Sequence, residues 1–393
     1  MRGYVAKKGN RWYAVIYDGI NPATGKEQRR WIKAGTRKGD AEKIVTEMVK
    51  RRNEGEPAVT DKASFGSYLV ERWLPIQQAK LRPSTYDSYR RNIDLHVLPA
   101  LGRRPLDKLT VDDLDVFYAT LLTSGRKDGK PGGLSAKTVR NIHLMLNKAL
   151  VDAHRKGAVV RNVAAIADSP TVGARRKADI KAWDVDQLRT FLDDIASHRL
   201  FPAFHLSAHT GMRRGEILGL RWGDLDAANL RLSVQQALVS IAYEVQLSDV
   251  KTDNGRRTID LDEGTLAVLE QWRETRTDER GGHRPADRDL VFTTPDGSWV
   301  HPHSFSQIFD RRVEKLEVPT ISLHDLRHTH ATIMLKAGVP VKVVSERLGH
   351  ANAAFTMSVY QHVLPGMQAE AAATFAVLVD PHRGPEKSGL PNR

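Results

Sequence analysis

The chain of 393 residues contains no cysteine. That excludes disulfides, thiolate metal sites and cysteine nucleophiles, and it suits a reducing compartment. No stretch approaches the roughly 18 consecutive apolar residues of a membrane span. The first residues, Met1-Arg-Gly-Tyr-Val-Ala-Lys-Lys8, lead into polar sequence without the apolar core of a signal peptide, so an intracellular, cytoplasmic protein is expected. There is no G-x-x-x-x-G-K-S/T phosphate loop, no His-Glu-x-x-His and no carboxylate cluster at metal-ligand spacing, so no cofactor is implied. Internal repeats and long low-complexity tracts are absent as well. With 27% charged and 40% apolar residues the composition is that of a globular protein of two or three domains.

Positive charge is plentiful. Sixty Lys/Arg face 47 Asp/Glu for a net charge of +13, and residues 1–55 alone hold 14 Lys/Arg against 6 Asp/Glu. A polyanion is the natural partner of that end, nucleic acid ahead of a membrane surface. The same segment carries β-type runs at Arg11–Tyr17 and Gln28–Lys33 around a turn at Asn21–Gly25. Helical spacing then begins near Gly39, so a small sheet backed by one helix is predicted. Strand aromatics usually pack, and about half of Trp12, Tyr13, Tyr17 and Trp31 are expected in a mini-core.

Residues 53–63 read as a linker. Beyond them, helices are predicted over Phe65–Gln78, Pro83–Ile93, Thr110–Leu122 and Ser135–Lys156, each opening near Ser, Thr or Pro. A second, basic linker follows at 165–181. The largest segment starts with a helix from Asp184 and another over Ala203–Arg221. Strands at Arg231–Gln235 and Arg257–Leu261 come next, then helices through Ser358. This segment is mixed α+β and mainly helical. Residues 381–393 read as a disordered tail.

Three clusters carry chemistry. Thr210-Gly-Met-Arg-Arg-Gly-Glu216 puts Arg213 and Arg214 beside residues that must be partly buried, and a buried guanidinium needs a carboxylate or phosphate. Glu216, three residues after Arg213, offers the plain alternative of an intrahelical ion pair. In Leu323-His-Asp-Leu-Arg-His-Thr-His330, His324 and His328 have the i,i+4 spacing of metal ligands, but Arg327 sets a fixed cation beside them and disfavours a dication. His324 and Arg327 at i,i+3 instead suit an anionic oxygen undergoing proton transfer, while His328 and His330 read equally as core histidines. In the third cluster His350 follows Glu346-Arg-Leu-Gly349, and Tyr360 lies ten residues on. With a pKa of about 10, tyrosine attacks only where cations or a base assist it, and taken alone Tyr360 reads as a packed aromatic.

Together, the Thr-Gly-x-Arg, His-x-Leu-Arg-His and Leu-Gly-His segments and the following Tyr occur in the order and at the spacing of the tyrosine recombinases, the phage-integrase family. The chain resembles that family over nearly its whole length. The resemblance implies a multidomain protein: a small α+β domain of a three-stranded sheet plus helix at 1–55 that binds arm-type DNA, an all-α core-site-binding domain at 64–165, and a mainly helical α+β catalytic domain at 180–380. It implies that Tyr360 attacks a DNA phosphodiester to give a 3′-phosphotyrosyl link, with Arg213 and Arg327 on the non-bridging oxygens. It further implies that His324 assists proton transfer, His350 donates to a phosphate oxygen and Lys251 protonates the leaving 5′-oxygen. Neither metal nor ATP enters. The implied partners are double-stranded DNA at core and arm attachment sites, further copies of the chain in a tetramer on paired sites, an excisionase and a host DNA-bending protein, with no membrane. A helix over Pro365–Leu378 would dock on a neighbouring subunit or pack within its own domain. The competing functions are a type IB topoisomerase, which shares the tyrosine chemistry without strand exchange, and a catalytically idle DNA-binding regulator.

Overall fold

The computed structural model describes residues 3–20, 27–53, 63–171, 181–249, 255–350 and 352–360, with Ala372, Phe375, Ala376, Leu378 and Val379. The turn at Asn21–Gly25, the tail at 381–393 and most of both linkers lie outside the described residues. The chain divides into two compact units, 1–174 and 175–393.

The first unit opens with β1 (Gly3–Lys8), β2 (Arg11–Ile20), β3 (Glu27–Gly35) and α1 (Lys38–Asn53). The strands form one antiparallel sheet in the order β1-β2-β3. Gly9, at φ 61°, allows the two-residue turn that pairs Lys8 with Arg11. The expected aromatic mini-core is not what holds this sheet. Ala14, Val15, Ile16 and Ala41 are buried, Trp31 is 51% exposed, and Tyr13 meets Trp31 edge-on at 6.0 Å on the open side. Small and β-branched side chains form the buried centre, and Trp12, Tyr13 and Tyr17 are half-buried around it.

Residues 63–171 are helical. Ser64, Thr110 and Ser135 each accept a backbone N–H at a helix start, and Thr110 with Asp113 forms a capping box. The predicted helix over Phe65–Gln78 is interrupted by a π-helical stretch, Tyr68–Trp73, and a second one spans Ile93–Val97. Each lies just ahead of a proline, Pro75 or Pro99, whose missing N–H shifts the hydrogen-bond register. The long helices α2 (Val111–Ser124) and α3 (Ala136–Arg155) pack Leu114, Phe117, Val139, Ile142 and Leu146 against Phe65, Leu69, Trp73 and Ile93. The helix Pro83–Asn92, by contrast, buries none of its residues.

The second unit begins with α4 (Val185–Ile195), opened by an Asp184–Gln187 capping box, and α5 (Phe201–Thr210). The single helix expected over Ala203–Arg221 is two. Gly211 ends α5 at φ 64°, and α6 (Arg214–Leu218) starts on a new axis. Then follow β4 (Arg231–Val234), β5 (Gln236–Ile241), β6 (Glu244–Asp249) and β7 (Arg257–Asp260). β4 pairs with β7 and with the two-residue strand Leu225–Asp226, while β5 and β6 make a separate hairpin. Five further helices are described: α7 (Glu263–Glu279), α8 (Pro302–Val313), α9 (Asp325–Lys336), α10 (Val341–Leu348) and α11 (Ala353–Tyr360). The core joins Trp183, Phe191, Phe204, Phe305 and Phe309 to Ile217, Leu232, Ile259 and Leu326. Phe204 and Phe305 stack at 4.3 Å. Among the described residues no helix is long and apolar enough to cross a membrane.

Candidate active site

Gly211 organises the site. A Cβ there would stand 2.7 Å from Leu348 Cδ2 and 2.9 Å from His330 Cδ2, so only glycine fits the left-handed turn between α5 and α6. The turn presents the Gly211 carbonyl to Arg327, whose Nη1 donates to it at 2.8 Å. It also puts Arg213 at the start of α6. Arg213 Nη1 donates to Glu216 Oε1 at 2.7 Å and its backbone N–H to Oε2 at 2.9 Å, and Nη2 reaches the Gly349 carbonyl at 3.3 Å.

Glu216 is more than the partner of one arginine. It is 4% exposed, and its Oε2 also accepts from Arg257 Nη2 at 2.8 Å. Arg257 Nε in turn caps the Arg347 carbonyl at 2.8 Å. One carboxylate thereby ties α6, β7 and the end of α10 together. Burial alone would raise the Glu216 pKa, but the Arg257 hydrogen bond and the charges of Arg257 and Arg213 outweigh it and hold the group below its usual range. A depressed folded pKa gives stabilisation that is complete above the ordinary value of 4.5 and lost as pH falls through the folded value. Glu216→Gln leaves two guanidiniums without their carboxylate. Denaturant unfolding at pH 7 should show a loss of about 3 kcal/mol, and the difference from wild type should shrink on acidification.

Arg327 differs from these two arginines. It is 4% exposed, and among the described residues its Nη2 is buried with no hydrogen-bond partner. Burial first, then the charge of Arg213, push its guanidinium down to about 9, with Glu216 the main opposing charge. An arginine surrenders its proton only at extreme cost, so the depression registers an unmet demand for an anion.

His324 stands at the N-cap of α9, and its ring meets that of His328 edge-on at 5.4 Å. Burial and Arg327 push its pKa down, which keeps it neutral at pH 7. Gly349, at φ 66°, ends α10 and turns the chain so that His350 leaves the helix axis. His350 Nδ1 lies 2.7 Å from Thr356 Oγ1, and burial, then Arg327 and Arg213, push the ring down to about 3.

Tyr360, at the end of α11, is 1% exposed and packs with Ala331, Leu335, Val344 and Leu348. Its hydroxyl is 2.6 Å from His328 Nδ1. Burial pushes its pKa up, against the pull of Arg327. The tyrosine's hydrogen-bond partner is thus His328 on the second turn of α9, where sequence reasoning singled out His324. Its one signal was the i,i+4 spacing of the two histidines. His330 has the core role its alternative reading gave it: Nδ1 meets the Ala208 carbonyl at 2.9 Å, and Arg347 Nε donates to Nε2 at 3.3 Å. Glu216 orients Arg213 as its spacing suggested, but its bond to Arg257 was missed because the two are 41 residues apart. Arg213, His324, Arg327, His350 and Tyr360 converge in one region. Lys251 lies outside the described residues, between β6 and β7.

The sequence profile of the phage integrase family matches residues 179–366, and that of a phage integrase N-terminal SAM-like domain matches residues 66–122. The ICEBs1 integrase of Bacillus subtilis is 26% identical over 381 residues, 94% of this chain and 98% of that protein. The Tn1549 transposon integrase, solved in complex with a circular intermediate DNA, shares the fold with a TM-score of 0.65 at 20% identity, covering 80% of this chain and 100% of that one. A lambda integrase tetramer bound to a Holliday junction superposes with a TM-score of 0.54 at 18% identity, over 89% and 96%. Fold and site define a site-specific DNA recombinase of the tyrosine type. Residues 179–366 belong to the phage integrase family, and residues 66–122 to its N-terminal SAM-like domain.

Proposed function

We propose that this recombinase integrates and excises a phage or other mobile element by cutting DNA with Tyr360. The observation that carries the reading is Arg327, a buried guanidinium with one carbonyl partner, one unpartnered nitrogen and no carboxylate among the described residues. The non-bridging oxygens of a phosphodiester satisfy it, with Arg213 on the second oxygen.

The Tyr360 oxygen attacks phosphorus, an O–P bond forms and the P–O5′ bond breaks, leaving the 3′-phosphate on the protein. The two guanidiniums neutralise charge that builds in the pentavalent transition state. His324 assists the departure of the phenolic proton once the hydroxyl has left His328, Lys251 protonates the 5′-oxygen and His350 donates to a phosphate oxygen. One phosphoester replaces another, so religation to a new 5′-hydroxyl needs no ATP. At 1% exposure the hydroxyl cannot touch a DNA phosphate where it stands, so DNA binding has to release it from its apolar cluster.

In this reading residues 1–55 bind arm-type DNA, 64–165 bind the core site and 180–380 catalyse. The charge excess of the first segment and the helix Pro83–Asn92, none of whose residues is fully buried, support it. The lambda integrase tetramer on a Holliday junction leads us to extend four protomers on paired sites to this chain. Of the helix expected over Pro365–Leu378, the described residues are helical, and Phe375 and Leu378 are 67% and 75% exposed, which suits docking on a neighbour. An excisionase, a host bending protein and a place in the bacterial cytoplasm or nucleoid complete the proposal.

The test is a nicked duplex pooled from the flanks of the gene's own locus, incubated with the protein in EDTA. A covalent protein–DNA band and strand exchange between paired sites support the proposal. Plasmid relaxation without exchange would identify a topoisomerase, and binding without a band an idle binder.

A further inference from the structure

His350 and Thr356 form a pair that no role assigned so far uses. Thr356 is fully buried, one turn before Tyr360 on α11, and its hydroxyl lies 2.7 Å from His350 Nδ1. A threonine inside a helix usually gives its hydroxyl proton to the carbonyl four residues back. Thr120, Thr190, Thr275 and Thr277 all do so in this chain. Thr356 makes no such bond to the carbonyl of Asn352, and His350 Nδ1 is its hydroxyl's one described hydrogen-bond partner.

The direction of that bond matters because a neutral imidazole has a single N–H. If the threonine hydroxyl donates to Nδ1, the ring hydrogen sits on Nε2, which then donates to an anionic oxygen. If Nδ1 donated instead, Nε2 would present a lone pair, which repels a phosphate oxygen.

We propose that Thr356 is a positioning residue for strand cleavage: its hydroxyl donates to His350 Nδ1 and fixes the ring in the tautomer that carries its hydrogen on Nε2. The proposal rests on the reading of His350 as a donor to phosphate. It adds a coupling to that reading, because Thr356 and Tyr360 share α11. Any movement of this helix that frees the nucleophile therefore carries the phosphate donor's partner with it, and the short span from Gly349 to Tyr360 keeps the His350–Thr356 pair together.

The experiment compares single-turnover cleavage of the nicked duplex, at saturating protein, by full-length wild type, Thr356→Val, Thr356→Ser, His350→Ala and the double variant Thr356→Val/His350→Ala. Valine keeps the shape and removes the hydroxyl, and Thr356→Ala replaces it if the valine variant fails to fold. Thr356→Val should slow cleavage about 10- to 100-fold, by analogy with the loss of the outer partner of a metal-bound histidine. Thr356→Ser should recover most of the rate, and Thr356→Val should add nothing once His350 is alanine. Long-range nitrogen–proton NMR of the His350 ring should show Nε2–H in wild type and a tautomer mixture in Thr356→Val. Wild-type rate in Thr356→Val with slow His350→Ala overturns the role of Thr356 alone. An undiminished Thr356→Val deficit in the double variant also overturns it, since the threonine would then act on structure and not through the ring. Wild-type rate in His350→Ala overturns the underlying reading of His350.

Discussion

Arg327→Ala should slow strand cleavage by about 1,000-fold, the upper range for removing one preorganised donor from a developing negative charge. The size follows from burial. Arg327 is 4% exposed, so its charge acts where little water screens it, and no other described side chain stands in for its unpartnered Nη2. Arg213, at 42% exposure and already shared with Glu216, cannot supply both oxygens. Arg327→Lys should recover less than about tenfold, because an ammonium is a point charge that cannot hold the Gly211 carbonyl and a phosphate oxygen in one plane. Single-turnover rates on the nicked duplex, with binding followed separately by gel shift, check both variants. An Arg327→Ala rate within tenfold of wild type would remove Arg327 from the reaction.

Tyr360→Phe should abolish covalent adducts while keeping DNA affinity within about tenfold, since the phosphate and base contacts come from other side chains and only the resting bond to His328 changes. The fold should survive. The ring still fills its place among Ala331, Leu335, Val344 and Leu348, and only the hydrogen bond to His328 goes, a loss of about 1 kcal/mol. The raised pKa has a further consequence for stability. A folded pKa above the ordinary 10.0 gives stabilisation that is complete below that pH and lost as pH rises through the folded value. Tyr360→Phe should therefore lose part of the wild type's alkaline destabilisation, seen as a smaller fall in melting temperature above pH 10.0.

What could be read from the sequence was local. Helix starts at Thr110, Ser135 and Asp184 announce themselves, because the capping side chain and the N–H it accepts are three residues apart. The break at Gly211 was hidden, because apolar spacing runs on through Ile217 and Leu218 and nothing local shows that Leu348 and His330 leave no room for a Cβ there. The clusters around Arg213, Arg327, His350 and Tyr360 were legible as a set through their order and spacing. Which histidine meets the tyrosine was not, since His324 and His328 occupy successive turns of one helical face and only the docking of α11 selects between them. The Glu216–Arg257 bond is equally a tertiary fact, set by how α6, β7 and α10 pack, whereas the packed state of Tyr360 is what its residue type alone suggests. The aromatic residues of the first sheet misled for a related reason. Strand propensity says that they sit on a pleated surface, but not which face a single covering helix can bury.

The most direct test of the account is to digest the covalent complex formed in EDTA and identify, by mass spectrometry, the peptide joined to DNA and the DNA end it carries. One linkage is expected, from the Tyr360 hydroxyl to a 3′-phosphate, absent from Tyr360→Phe. A link through any other residue, or to a 5′-phosphate, would contradict it.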